Sequence, residues 1–348
     1  MATLKELATL TGFSQATISR VLNNDPTMSV SDTTRAAIFE AAGELHYKTS
    51  NRTRKPRGAH KNPLRFAVAE MLTPAEQLGD PYFLFLKNFA EQQCIDRGAE
   101  VCHLRAEGNG YRLDTPLQVD GVLAIGIFSE EQVERLSYFS RNLVFLDSAP
   151  DEARFDSVVL NFRIGVELAL DHLRALGHSE IGFIGPDRKL DYKKRPAPEV
   201  RRQHFIKYME EHHLFHPEFV FETPMDAGIA RATLLHEIQA GHTLPTALLA
   251  ANEETAIGAV GALRAAGLQV PQDISVISFN DTARSELTDP PLTSVSTHAE
   301  DMSAAAIEML ARRAEYMRRS PNRPAMLPFK IVVPPTLIER QSVAAPCR

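Results

Sequence analysis

The first sixty residues constrain this chain more than any other stretch. Leu4, Leu7, Ala8 and Leu10 recur at helical spacing, and Gly12 permits a left-handed turn. Ser14 then stands where it can cap a second helix running from Gln15 to about Leu22. Two short helices about a glycine turn make a helix-turn-helix unit. On the second helix Ala16, Ile18, Val21 and Leu22 are small or apolar, whereas Gln15, Thr17, Ser19 and Arg20 carry hydrogen-bonding groups. Such a helix packs on one side and can read a DNA groove on the other. A helix pair buried in an ordinary core would show a similar pattern, so the choice rests on the residues that come after it in the chain.

A third helix is predicted over Thr33–His46, with Ile38, Ala41, Ala42 and Leu45 on one stripe closing a three-helix core. From Leu45 to Ala69 there is no acidic residue, yet the stretch holds Lys48, Arg52, Arg54, Lys55, Arg57, Lys61 and Arg65. Alone, that charge run would read as a solvated linker. Beside a helix-turn-helix it attracts phosphates through counterion release. Residues 1–60 carry a net +3 and the remainder −9. DNA affinity is therefore expected at one end only.

With 348 residues, 44% of them apolar, the chain can bury two sizeable cores beyond this headpiece. Cys94, Cys102 and Cys347 are odd in number and lack metal-like spacing, which suits a reduced cytoplasm. No apolar run approaches membrane-spanning length, and the N-terminus reads as an amphipathic helix rather than a signal peptide. A cytoplasmic protein with no membrane partner and no cofactor is expected.

Downstream, short apolar strands alternate with helices. Leu64–Met71, Ala99–Leu104, Gly121–Ile127 and Leu143–Leu146 are predicted strands, with a helix over Tyr82–Arg97. A second set has strands at Ile181–Ile184, Phe219–Glu222, Ala247–Ala250 and Ser275–Phe279. Its helices are predicted at Gly165–Leu176, Glu199–His212, Ala230–Gln239 and Thr255–Ala266. This alternation implies an α/β fold of parallel sheets covered on both faces, which bind ligands beyond the carboxyl ends of their strands. Asp147, Pro186-Asp187, Asn252-Glu253 and Asn280-Asp281 stand just past strand ends, with Arg201 on a nearby helix. Carboxylates and carboxamides of this kind suit the hydroxyls of a sugar.

The chain resembles the LacI/GalR family of bacterial transcriptional repressors over essentially its whole length. TLKELATLTGFSQATISRVLN and the YKTSN segment carry the resemblance in the head. In the body it rests on ALDHLRALGHSEIGFIGP, TALLAANEETAIGAVGALRAAGLQVPQDISVISFND, DPPLTSVSTH and PPTLIERQS. Within the family, the MATLK start, the DPT segment, YKTS and FND resemble a repressor of a β-galactosidase operon, which implies a β-galactoside effector. The implied fold is a three-helix DNA-binding headpiece (1–47), a basic hinge (48–61) and a two-lobed periplasmic-binding-protein-like α/β body (62–340), with a tail at 341–348. The lobes are expected at about 62–161 plus 292–321, and 162–291 plus 322–340.

The resemblance implies a homodimer that binds double-stranded operator DNA. Gln15 and Ala16 match base-reading positions, supported by Thr17, Ser19 and Arg20. Gln15 can pair with adenine and Arg20 with guanine, each discriminating by about 1–3 kcal/mol. Thr3, Ser14, Asn23, Ser29 and Ser31 match phosphate-contacting positions, which fix register. The hinge departs from the family pattern: no leucine stands between Leu45 and Leu64 to wedge into the minor groove. Asn51, Arg52, Arg54 and Pro56 are instead expected to lie along DNA as an extended basic arm. In the body, Asp147, Arg201, Asn252 and Asn280 match effector-holding positions, and Tyr82 and Phe83 match aromatic positions that pack on a sugar ring. Singly, each has a plainer explanation: Asp147 and Asn280 could cap helices, Asn252 could hold its own turn, and Arg201 could be a solvated surface charge.

Other chemistry is thin. His212, His213 and His216 include an i, i+4 pair but read as exposed histidines, and His236-Glu237 lacks the second histidine of a zinc-protease motif, since Ala240 stands there. Lys193-Lys194-Arg195 reads as a solvated loop beside Pro196 and Pro198. No catalytic constellation appears, so an enzyme is the least favoured class. A free-standing sugar-binding protein without DNA recognition is the alternative to a ligand-controlled repressor.

Overall fold

The computed structural model describes residues 4–22, positions 30, 34, 37, 38, 41 and 42, and residues 62–107, 110–114, 118–319 and 326–347. Met1–Ala59 and His60–Arg348 form two separate compact units.

In the first unit α1 (Leu4–Thr11) and α2 (Gln15–Leu22) flank Gly12, whose φ of 73° turns the chain as expected. Leu7, Ile18 and Val21 are buried with Ile38, Ala41 and Ala42 of a third helical stretch. The 3.6-residue periodicity of the three segments thus converges on one small core.

The second unit holds two sheets. In the first lie β1 (Arg65–Glu70), β2 (Glu100–Glu107), β3 (Gly110–Leu113), β4 (Gly121–Ile125), β5 (Leu143–Leu146) and β6 (Asp156–Leu160). All run parallel except β3, which turns back on β2. Around them lie α3 (Pro74–Gly79), α4 (Tyr82–Asp96) and α5 (Glu130–Ser137). Capping boxes at Thr73 and Ser129 start α3 and α5.

The chain then passes to α6 (Phe162–Ala175) and β7 (Ile181–Gly185), followed by a two-stranded ribbon of β8 (Arg188–Leu190) and β9 (Pro196–Pro198). Next come α7 (Val200–Glu211), β10 (Val220–Glu222), α8 (Ala227–Gln239), β11 (Ala247–Ala250), α9 (Glu253–Ala265), β12 (Ser275–Asn280), α10 (Ala283–Leu287) and β13 (Thr293–Ser296). The second sheet has the order β10-β7-β11-β12-β13, closed by antiparallel β15 (Thr336–Ile338). β7, β11 and β12 are fully buried, which is why they read as unbroken apolar runs.

Strand pairing corrects the expected lobe limits. β13 was expected in the first lobe but pairs with β12 in the second. The return to the first lobe comes at Thr297-His298, after which α11 (Ala299–Arg319) buries Met302, Ile307 and Leu310 against the first sheet. The segment expected wholly in the second lobe is likewise split. β14 (Lys330–Val333) pairs with β6 in the first sheet, and only β15 joins the second. Pro334-Pro335 separates them because neither proline can donate to a ladder. Three crossings therefore join the lobes, and Thr336 Oγ1 lies 2.9 Å from His298 Nε2 across two of them. Nor is the tail a free end: buried Ser342 donates to the Val276 carbonyl at 2.6 Å and accepts from Thr293 N at 2.8 Å.

Candidate functional site

In the headpiece, Thr17 N donates to Ser14 Oγ at 3.1 Å, so Ser14 caps α2 as its position suggested. Ser14, Gln15 and Arg20 are exposed and Thr17 is half-exposed. Ala16 and Ser19 lie on the same helix. Thr3, Asn23, Ser29, Ser31, Asn51, Arg52, Arg54 and Pro56 lie outside the described residues.

In the body, the ends of both sheets face a cleft between the lobes. Its deep compartment is lined by Tyr82, Phe83, Asp147, Arg201, Asn252 and Asn280. All six expected effector residues thus meet in one place. The first three come from the first lobe and the others from the second.

Asp147 follows β5 with a φ of 69°, a left-handed conformation in which aspartate and asparagine are tolerated best. It accepts a hydrogen bond from Tyr82 Oη at 3.3 Å and caps no helix. Burial raises its pKa to about 6, against the opposing pull of the Lys189 and Arg201 charges. Burial, reinforced by Asp147, lifts the Tyr82 phenol well above its usual range. Phe83 meets Tyr82 edge to face, with ring centroids 5.2 Å apart.

Arg201 is 3% exposed, so it is no surface charge. Its Nε donates to Glu199 Oε1 at 2.7 Å, and its guanidinium lies 5.1 Å from the Phe162 ring centroid and 5.6 Å from that of Phe279. Glu199 also caps α7, accepting Arg202 N at 2.9 Å. Burial raises the Glu199 pKa, but Arg201 and the Arg202 amide outweigh it and hold the group below the usual range.

Asn252 divides its two halves. Oδ1 accepts Thr255 N at 2.9 Å and caps α9, while Nδ2 is buried and has no hydrogen-bond partner among the described residues. The turn-stabilising explanation therefore accounts for the carbonyl half alone. Asn280 ends β12 with a φ of 94° and caps nothing; Thr282 caps α10 instead. A non-glycine residue held there is strained, as residues at ligand sites often are. The charged neighbours at these strand ends do other work. Glu253 accepts from Thr282 and Ser285, Asp281 pairs with Arg340 at 2.6 Å, and Asp187 pairs with Arg202 at 3.0 Å.

Asp80, Phe162, Met225 and Thr297 also line the deep compartment, as does Lys189. Sequence reasoning passed over Lys189 because it stands in a charged, proline-flanked stretch that reads as loop. On β8, however, Arg188 and Leu190 are exposed while Lys189 turns to the other face. Burial lowers its pKa, as does the Arg201 charge, with Asp147 and Glu199 opposing.

The candidate histidines are accounted for elsewhere. His212 stacks on Tyr208, and His216 lies 3.2 Å from Glu218. Among the described residues no cluster of His, Cys, Asp and Glu could hold a metal ion, and no helix is long and apolar enough to cross a membrane.

A headpiece with a capped, exposed helix and a two-sheet body with a polar cleft define a ligand-responsive DNA-binding protein. Residues 3–50 match the family model for bacterial regulatory proteins of the lacI family, and residues 170–343 match the periplasmic binding protein-like domain. The HTH-type transcriptional repressor MelR of Bacillus subtilis (strain 168) is 31% identical, over 98% of this chain and 97% of that protein. The HTH-type transcriptional regulator GalR of Streptococcus thermophilus is 32% identical, over 92% of this chain and 95% of that one. Among solved structures, the lac repressor dimer bound to operator and the anti-inducer ONPF aligns with a TM-score of 0.62 at 22% identity, covering 99% of each chain. The transcriptional regulator CelR–cellobiose complex aligns at 0.63 and 21%, over 98% of this chain and 100% of that one. The chain belongs to the lacI family and is a DNA-binding transcriptional repressor. The headpiece match decides against a free-standing binding protein.

Proposed function

We propose that a neutral sugar, with a β-galactoside the first candidate, binds between the lobes and sets the operator affinity of a homodimer acting in the bacterial cytoplasm, on the nucleoid when operator-bound. The observation that carries this reading is the buried, unpartnered Nδ2 of Asn252, a donor placed in a cleft with Asp147 and Asn280. An unsatisfied buried amide costs roughly 1–3 kcal/mol, which a ligand hydroxyl would recover. Asp147 would accept from hydroxyls, Arg201 would donate, and Tyr82 and Phe83 would pack on the ring. A sugar that prefers one arrangement of the lobes shifts DNA affinity by its differential binding, and operator weakens sugar binding by the same factor. Gln15, Ala16 and Arg20 would read bases, with Thr17 and Ser19 supporting them; Thr3, Ser14, Asn23, Ser29 and Ser31 would hold phosphates. Asn51, Arg52, Arg54 and Pro56 would lie in the minor groove.

The test is fluorescence anisotropy on DNA from the gene's own upstream region, with and without lactose, galactose and related galactosides. Release of the DNA by one of them is the expected result. Tight binding that none of them disturbs would remove the galactoside and leave the repressor.

A further inference from the structure

The ribbon β8–β9 belongs to the second lobe and reaches over to the first. Asp191 closes its turn, accepting the Lys193 and Arg195 amides at 2.9 and 2.8 Å. The tip then meets first-lobe partners. Lys193 Nζ lies 3.1 Å from Glu130 Oε1 and Lys194 Nζ 3.4 Å from Gln132 Oε1, both on α5. Lys330 of β14 lies 5.9 Å from the Tyr192 ring centroid. The expected solvated loop is therefore a strap between the lobes, and its cleft-facing residue is Lys189.

Lys189 also stands where two cavities meet. The deep compartment has room for about 20 Å³, enough for about one water. The outer one measures about 820 Å³, within the roughly 300–1,000 Å³ of pockets that enclose a whole small ligand. Lys189, Asp80, Phe83 and Met225 line both. Leu72, Pro186 and Pro224 give the outer compartment apolar walls. Glu76, Asp80, Asp187, Glu222 and Asp226 outnumber Arg188 and Lys189 there, which disfavours an anionic ligand. Carboxylates beside apolar walls match the hydroxyls and the C–H face of a sugar.

We propose that Lys189 is a specificity-determining residue, carried on the strap to the junction of the two compartments, and that it selects a neutral glycoside of at least two units seated in the outer compartment with one hydroxyl reaching into the deep one. The inference rests on the proposed sugar effector. An ammonium offers three donors and no acceptor, so Lys189 reads an oxygen acceptor at the junction: a ring oxygen, a linkage oxygen or a flanking hydroxyl. A monosaccharide held at one end need not reach it.

Calorimetric titration of the full-length protein with galactose, glucose, lactose, melibiose and cellobiose tests this. At least one disaccharide should bind about tenfold more tightly than its parent monosaccharide, as a hydrogen bond to a charged group implies. Lys189→Met should shrink that ratio to below about threefold, and Lys189→Gln, which keeps a donor, should restore part of it. Lys193→Ala with Lys194→Ala unties the strap without entering the cleft and should weaken the disaccharide by about threefold, the scale of exposed ion pairs. A ratio unchanged in Lys189→Met, or a monosaccharide bound as tightly as every disaccharide, overturns the proposal. If none of the five sugars binds while specific DNA binding persists, the sugar reading fails and the proposal falls with it.

Discussion

The two walls of the cleft are built differently. On the second-lobe side the charges are settled within the protein: Arg201 is paired with Glu199 and stacked between Phe162 and Phe279, and the carbonyl of Asn252 is held by its helix cap. On the first-lobe side the Asp147 carboxylate has, among the described residues, one long hydrogen bond, from Tyr82, and burial outweighs the Lys189 and Arg201 charges to carry its pKa up to about 6. A preorganised wall faces one whose charge is poorly satisfied. On the proposed reading the first would orient a ligand and the second would gain most from its arrival.

The contrast can be broken hardest at Arg201. Arg201→Ala leaves Glu199 buried without its cation, and losing one partner of a buried pair costs about 3–5 kcal/mol. Equilibrium unfolding of the body should show a loss of that size, together with no measurable sugar binding. A loss below about 1 kcal/mol would mean that the second wall is not held by this pair.

Asn252 allows its two halves to be separated. Asn252→Ser keeps an N-cap oxygen for α9 and removes the amide donor, so sugar affinity should fall about tenfold with the melting temperature nearly unchanged. Asn252→Ala should match that affinity loss and also lose about 1 kcal/mol of stability with the cap. Equal stability loss in both variants would show that Nδ2 matters to the fold rather than to the ligand.

The smallest effects belong to Asp147. Its folded pKa is raised, so its contribution to stability is fully present below the unfolded value near 4 and is lost as pH rises through about 6. Asp147→Asn keeps an acceptor for Tyr82 and suits the left-handed backbone. It should raise the melting temperature by roughly 2 °C at pH 8, about 1 kcal/mol, and leave it unchanged at pH 4. Sugar affinity in the parent protein should decline as pH falls through 6, and the variant should lose that dependence. A flat pH profile in the parent would assign the first wall a packing role only.

Much of this was legible in local pattern. The periodicity of Leu7, Ile18 and Ile38 foretold the headpiece core, and the apolar runs at β7, β11 and β12 foretold buried parallel strands. Parallel sheets place ligands at strand ends, which is enough to pick out Asp147, Asn252 and Asn280. Local pattern failed where the deciding partner lies far along the chain. β14 and β15 differ little in composition, yet one pairs with β6 and the other with β13. Only a long-range register separates them.

By itself, then, the amino-acid order determined the helix-turn-helix, the alternation of strand and helix, and the residue types set around a cleft. Spacing and capping act within a few residues, so they can be read without a fold. The tertiary structure decided which charges are buried. Arg201 becomes an interior cation because Phe162 and Phe279 close on it from α6 and β12, and Lys189 becomes a cleft residue because a ribbon tip finds α5. Burial of a charge is set by whatever surrounds it in space, and for both residues that surrounding comes from distant parts of the chain.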